Sequence, residues 1–206
     1  MTAAVLLIST LLDMSTGRAS ADDGPARRTQ LTIAASLATL AFAALWGVAA
    51  GSTVGTLAIA NALKVPMVVL LSAVAAIPAG MLALRLMGLQ YPARDLVHAF
   101  APALFAGTLA LAVTAPLVAL YYHTSVWAGP YLAMGSAALA IVVAGLLFAR
   151  GAVRRATTER ERTLVMLPVV VTIGFQLATM LQLVALASPI LPETTLFDTG
   201  VDVLAR

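Results

Sequence analysis

The chain has no cysteine, which excludes disulfides, thiolate metal sites, c-type haem attachment and palmitoylation together. Charge is almost as scarce. Asp, Glu, Lys and Arg make up 10% of the 206 residues, against about 25% in an ordinary soluble domain. There is one lysine, Lys64, and there are two histidines, His98 and His123. Asp13, Asp22, Asp23, Asp95, Glu159, Glu161, Glu193, Asp198 and Asp202 all lie outside the long apolar runs or at their ends. Carboxylates inside a membrane are the usual mark of proton relays and ion-coupled carriers, so that chemistry has no residues to use here. A His-Glu-x-x-His helix, a Gly-rich loop ending in Lys-Ser/Thr and a Gly-x-Ser-x-Gly turn are also missing, which leaves no recognisable hydrolase or nucleotide site. No metal site and no catalytic residues are expected, and the chain is read as non-enzymatic. Basic residues interleaved with aromatics are missing too, so nucleic acid is not an expected partner.

What the chain has in quantity is apolar sequence, at 61% of its residues. The composition predicts an all-α integral membrane protein, a bundle of five transmembrane helices over residues 31–187. The spans are expected at about 31–60, 65–86, 96–121, 131–149 and 164–187. Met1–Leu12 is apolar but, at about 18 Å as a helix, too short to cross a core of roughly 30 Å. Residues 1–30 are therefore read as a short interfacial or docking helix followed by a polar linker, and 188–206 as a tail outside the membrane. The turn between the first two spans is expected at Asn61–Pro66, with Pro66 opening the second helix, where its missing N–H costs nothing. Pro78 followed by Gly80 is expected to kink that helix.

Orientation follows from the basic residues. A five-span layout puts Arg18, Arg27, Arg28, Arg85, Arg94, Arg150, Arg154, Arg155, Arg160 and Arg162 on one side, and Lys64 and Arg206 on the other. Positively charged loops stay in the cytoplasm. The N-terminus is thus expected in the cytoplasm and the C-terminus outside, in a bacterial inner membrane. Tyr121, Tyr122 and Trp127 form an expected aromatic belt at the outer surface.

Gly47, Gly51 and Gly55, spaced by four, are expected to line one face of the first helix and to admit a neighbouring helix closely. Gln176 and Gln182 in the last span are the candidate polar membrane contacts. Six residues apart, they differ by about 120° around the helix and do not share a face. His98 and His123 are candidate ligands for a haem or pigment of a neighbouring protein, but 25 residues of helix separate them by about 37 Å, too far to share one metal. The bland reading of both is interfacial. No cofactor of the chain's own is expected, though bound lipid is, and so is pigment or quinone contact within a complex.

Leu63 to Pro66, Pro78 and Leu86 to Gly88 set a Leu-Lys-Val-Pro turn, a proline-broken apolar helix and a Leu-x-Gly step. Over about residues 46–125 this resembles a family of bacterial multi-pass membrane proteins, some loosely labelled Yip1-like. The resemblance implies a multi-span helical fold and no catalytic residues. The leading functional expectation is an accessory or scaffold subunit of a larger membrane complex, with other membrane subunits and the lipid bilayer as partners. The alternative is a small channel or facilitator for an uncharged or lipidic solute.

Overall fold

The computed structural model describes residues 9–11, 13, 24–89, 92–125, 127–156 and 158–192, and among these there is no strand. The elements are α1 (Pro25–Ala50), α2 (Gly55–Leu86), α3 (Ala93–Thr124), α4 (Ala128–Arg155), the short α5 (Glu159–Leu164) and α6 (Met166–Ala187). Five helical stretches are long and apolar enough to cross a membrane, α5 and α6 together forming the last. The chain has the build of a multi-pass membrane protein.

The first turn is not where hydropathy places it. α1 stops at Ala50, ten residues earlier than expected, and α2 begins at Gly55 instead of near Val65. The intervening residues turn on their own backbone: Gly51 N–H donates to the Gly47 carbonyl at 3.1 Å and Val54 N–H to the Gly51 carbonyl at 3.0 Å. Glycine is a poor helix former, and serine and threonine compete for backbone hydrogen bonds, so Gly51-Ser52-Thr53 is a competent stop. None of these residues is polar enough to interrupt an apolar run. Consequently Pro66 does not open a helix. It lies in the interior of α2, buried, and the helix continues through both Pro66 and Pro78. Membrane helices tolerate this when neighbours re-satisfy the freed carbonyl. Lys64 likewise lies inside α2 and not in a turn.

The other helices run longer than their apolar cores. α3 and α4 extend several residues past the expected limits at both ends, α4 taking in Arg150 and Arg154. α5 starts from a capping box in which Thr158 Oγ1 accepts from the Glu161 N–H and the Glu161 carboxylate accepts from the Thr158 N–H, satisfying two otherwise orphaned donors.

Close packing joins α1 to α2, α1 to α3, α3 to α4, and α2 to α6, whereas α2–α3 and α4–α6 contacts are sparse. The helices thus form an incomplete ring in the order α4, α3, α1, α2, α6, with a loose seam where α6 returns towards α4. Two cores occupy its ends. One gathers Trp46, Val65, Leu111, Val118 and Ile190, the other Leu84, Leu96, Phe100, Phe148 and Val169. A third, smaller cluster holds Leu11 fully buried against Ala35 and Phe105. Ala35 lies two turns inside α1 from Arg28, roughly 10 Å, so this residue of the N-terminal segment reaches well below the level of the arginines. Most of residues 1–23, and with them the expected interfacial helix, lie outside the described residues.

A candidate internal lipid site

Two of the three spaced glycines are close-approach positions, and they act across a hairpin instead of along one helix. A Cβ on Gly47 would run into the Asn61 backbone carbonyl, and one on Gly51 would come within 2.7 Å of the Ala58 amide nitrogen. α2 therefore lies directly on the end of α1. Gly55 does none of this. It is the first residue of α2, it is exposed, and a Cβ there would meet nothing within 4 Å. The shared glycine face fails because α1 stops at Ala50, which leaves Gly51 as its cap and Gly55 as the start of α2. Hydropathy alone gave less weight to Gly80, whose Cβ would overlap Thr172 of α6, and to Gly107, whose Cβ would come 2.7 Å from the Ala140 carbonyl of α4. These two seat the α2–α6 and α3–α4 pairs. Their signal is weak in sequence, a lone glycine among alanines.

Polar side chains bridge the ring at few points. Trp46 Nε1 donates to Ser136 Oγ at 2.9 Å, linking α1 to α4, and the serine hydroxyl donates onward to the Ala133 carbonyl at 2.7 Å. Near the arginine-rich end, Thr32 Oγ1 lies 2.6 Å from His98 Nδ1 and also donates to the Arg28 carbonyl at 2.9 Å. With its one proton given to that carbonyl, the threonine is left to accept from Nδ1–H. His98 thus joins α1 to α3, half-buried. His123 is exposed at the far end of α3. No group of three or more potential metal ligands occurs among the described residues.

At the other end, the chain turns inward after α6. Ile190 is buried in the core beside Trp46, Val65 and Tyr122. Asn61 Nδ2 donates to the Ile190 carbonyl at 2.6 Å, and Lys64 Nζ to the Pro189 carbonyl at 3.1 Å. The residues that follow Ala187 were expected to leave as a tail. Ser188 to Pro192 instead form a strap across the bundle, because Ile190 and Leu191 are apolar enough to be retained and α2 supplies donors for the Pro189 and Ile190 carbonyls.

Between the two cores, and lined at one end by that strap, lies a cavity of about 440 Å³. It is bounded by α2, α3, α4 and α6, with Trp46, Phe100 and Phe148 among its walls. Its lining is overwhelmingly apolar. Thr108 faces it, but that hydroxyl is spent on the Leu104 and Phe105 carbonyls. Gln176 is different: it lines the cavity, half-buried, and its amide has no hydrogen-bond partner among the described residues. Gln182 is exposed and lies outside the lining. The two glutamines do not share a face, as their 120° offset requires, and only one points inward.

No family model matches the chain, and no match emerges among curated proteins or solved structures. What the fold and cavity define is a multi-pass membrane protein, with five helical stretches long and apolar enough to span among the described residues and an apolar cavity between them.

Proposed function

We propose that this is a non-enzymatic protein of a bacterial cytoplasmic membrane that takes an uncharged or lipidic solute into its helix bundle and facilitates its movement. One observation carries the reading: the apolar cavity with a single uncommitted amide in its wall. A chamber of this size falls in the range of small-molecule sites, which are typically apolar with a few placed polar groups. The scarcity of charge fits a neutral cargo, since a charged one would need compensation in the wall. The full-length protein, purified from its own membranes in mild detergent and analysed by native mass spectrometry, should carry a neutral lipid of defined mass. Recovery of only bulk phospholipid, together with no solute flux in proteoliposomes, would sink the proposal.

The accessory-subunit reading has a separate support. The apolar windows of α4 and of the α5–α6 stretch are only 22% buried, against 39–44% for the other three. Each also carries an exposed glycine, Gly135 and Gly174, with open space where a Cβ would stand. Small residues of this kind let another membrane helix approach. On this reading purification at native expression level yields a stable larger complex, and its absorption spectrum reports any pigment or quinone contact. The orientation with N-terminus inside and C-terminus outside belongs to both readings. A fluorescent protein fused to the N-terminus should fluoresce, and the same fusion at the C-terminus of an exported chain should stay dark.

A further inference from the structure

The cavity is long and narrow. Its lining on α4 runs from Ala133 to Phe148, roughly 22 Å along the helix. Spread over that length, 440 Å³ leaves a channel about one hydrocarbon chain wide. By volume it is about three times the ~150 Å³ that holds one benzene, which is room for roughly sixteen to eighteen carbons.

Its way in is lateral. Ser188, Ile190 and Leu191 of the strap line the end nearest Lys64, and Phe100 and Phe148 line the other. The α4–α6 seam remains. A Cβ on Gly145 would lie 3.6 Å from Ile173 Cδ1, which fixes the antiparallel register of the two helices. Counted from that point, Met134 of α4 and Leu181 of α6 lie within about one turn of the same level. Both line the cavity, and both are open to the surroundings, at 51% and 65% exposure. A residue that touches both the chamber and the outside marks a mouth, and here one stands on each of the two helices that border the loose seam. Gln176 stands five residues inward of Leu181, roughly 8 Å deeper.

We propose that the Met134–Leu181 gap is a side portal through which a neutral single-chain lipid enters from the bilayer, and that the Gln176 amide hydrogen-bonds one hydroxyl or carbonyl borne on that chain. The inference rests on the solute-binding reading above and names its cargo class and route. A charged headgroup is excluded by the wall, and a double-chain lipid by the width. The amide both donates and accepts, so it recognises an alcohol or a ketone and discriminates against a bare hydrocarbon.

The test uses the full chain in nanodiscs with two photoactivatable probes of about sixteen carbons, a mid-chain alcohol and the matching alkane, and peptide mapping of the crosslinks. The alcohol should label α3 and α4 cavity positions in preference to the alkane. Gln176→Leu should lower alcohol labelling about three- to tenfold, the worth of one neutral hydrogen bond, and leave alkane labelling unchanged. Gln176→Met, closer in shape, should behave like the leucine variant, and Gln182→Leu like the wild type. Leu181→Trp should slow labelling by both probes. If neither probe labels the interior of the wild type, the solute-binding reading falls. If both label it equally and Gln176→Leu or Leu181→Trp changes nothing, that reading stands and the portal inference is overturned.

Discussion

The side chain of Asn61 donates to the Ile190 carbonyl at 2.6 Å across 129 residues of sequence, and it is this contact that turns the end of α6 into a strap. Asn61 is completely buried, and its Oδ1 has no hydrogen-bond partner among the described residues. Its retention inside an apolar bundle is therefore explained by the one bond that it does make. With Lys64 on the Pro189 carbonyl beside it, α2 satisfies two backbone acceptors that would otherwise face an apolar surrounding.

Asn61→Leu should accordingly free the strap. The lost bond is worth about 0.6 kcal/mol on average in a membrane protein, with a maximum near 1.7, and the carbonyl left unpaired adds to it. In nanodiscs the variant should be cut after Ala187 by an added protease several times faster than wild type, with the helix content unchanged. Lys64→Ala, whose bond is exposed, should have a smaller effect in the same assay. Equal protection of wild type and Asn61→Leu would show that apolar burial of Ile190 alone holds the strap.

The glycines separate sharply by position. Gly47→Ala and Gly51→Ala push a methyl group into the α2 backbone, which cannot rotate away as a side chain can, so each should cost about 1–3 kcal/mol. Gly55→Ala meets open space and, at a helix start, should be neutral or slightly stabilising. Thermal unfolding in detergent of the three variants should give two lowered midpoints and one unchanged.

Trp46 reports on the cavity it lines. Trp127, the other tryptophan, is 72% exposed, whereas Trp46 is 6% exposed. A Trp127→Phe protein therefore has a single, shielded emitter. A brominated neutral chain lipid should quench it more strongly than brominated phospholipid at the same mole fraction. Trp46→Phe should lower stability by about 1 kcal/mol through loss of the Ser136 bond.

At the arginine-rich end, Thr32→Val removes the hydroxyl that joins His98 to α1 and keeps the side-chain shape. Membrane hydrogen bonds of this kind average about 0.6 kcal/mol, with a maximum near 1.7. The expected outcome is a loss within that range, measured by denaturant unfolding in mixed micelles, and a double-mutant cycle with His98→Leu should return a coupling energy of the same size. Additive losses would mean that His98 owes its place to other contacts.

Several features were legible because they depend on composition. Five apolar runs, broken by clusters such as Met87–Gly88 and by the arginine-rich stretch after Arg150, mark five spanning helices, since a run long enough to cross a bilayer leaves the backbone no alternative to a helix. The first turn was not legible. Gly51, Ser52, Thr53 and Val54 are small and barely polar, so a hairpin of four residues hides inside a continuous apolar stretch, and Pro66 then offers itself as a false helix start. The candidate site was half legible. Gln176 and Gln182 stand out as equals in the sequence, and the 120° between them says only that they face different ways.

The sequence by itself determined that this chain has the composition of a multi-pass membrane protein, how many times its helices can cross a bilayer, and that it has no thiol chemistry. Those are matters of transfer free energy, summed over residues and insensitive to neighbours. Which glycines touch another helix, which glutamine faces inward, and that Ile190 folds back over the bundle were decided by the tertiary structure alone. Each depends on the rotation and register of helices far apart in sequence, and an apolar residue facing lipid looks the same in sequence as one facing another helix.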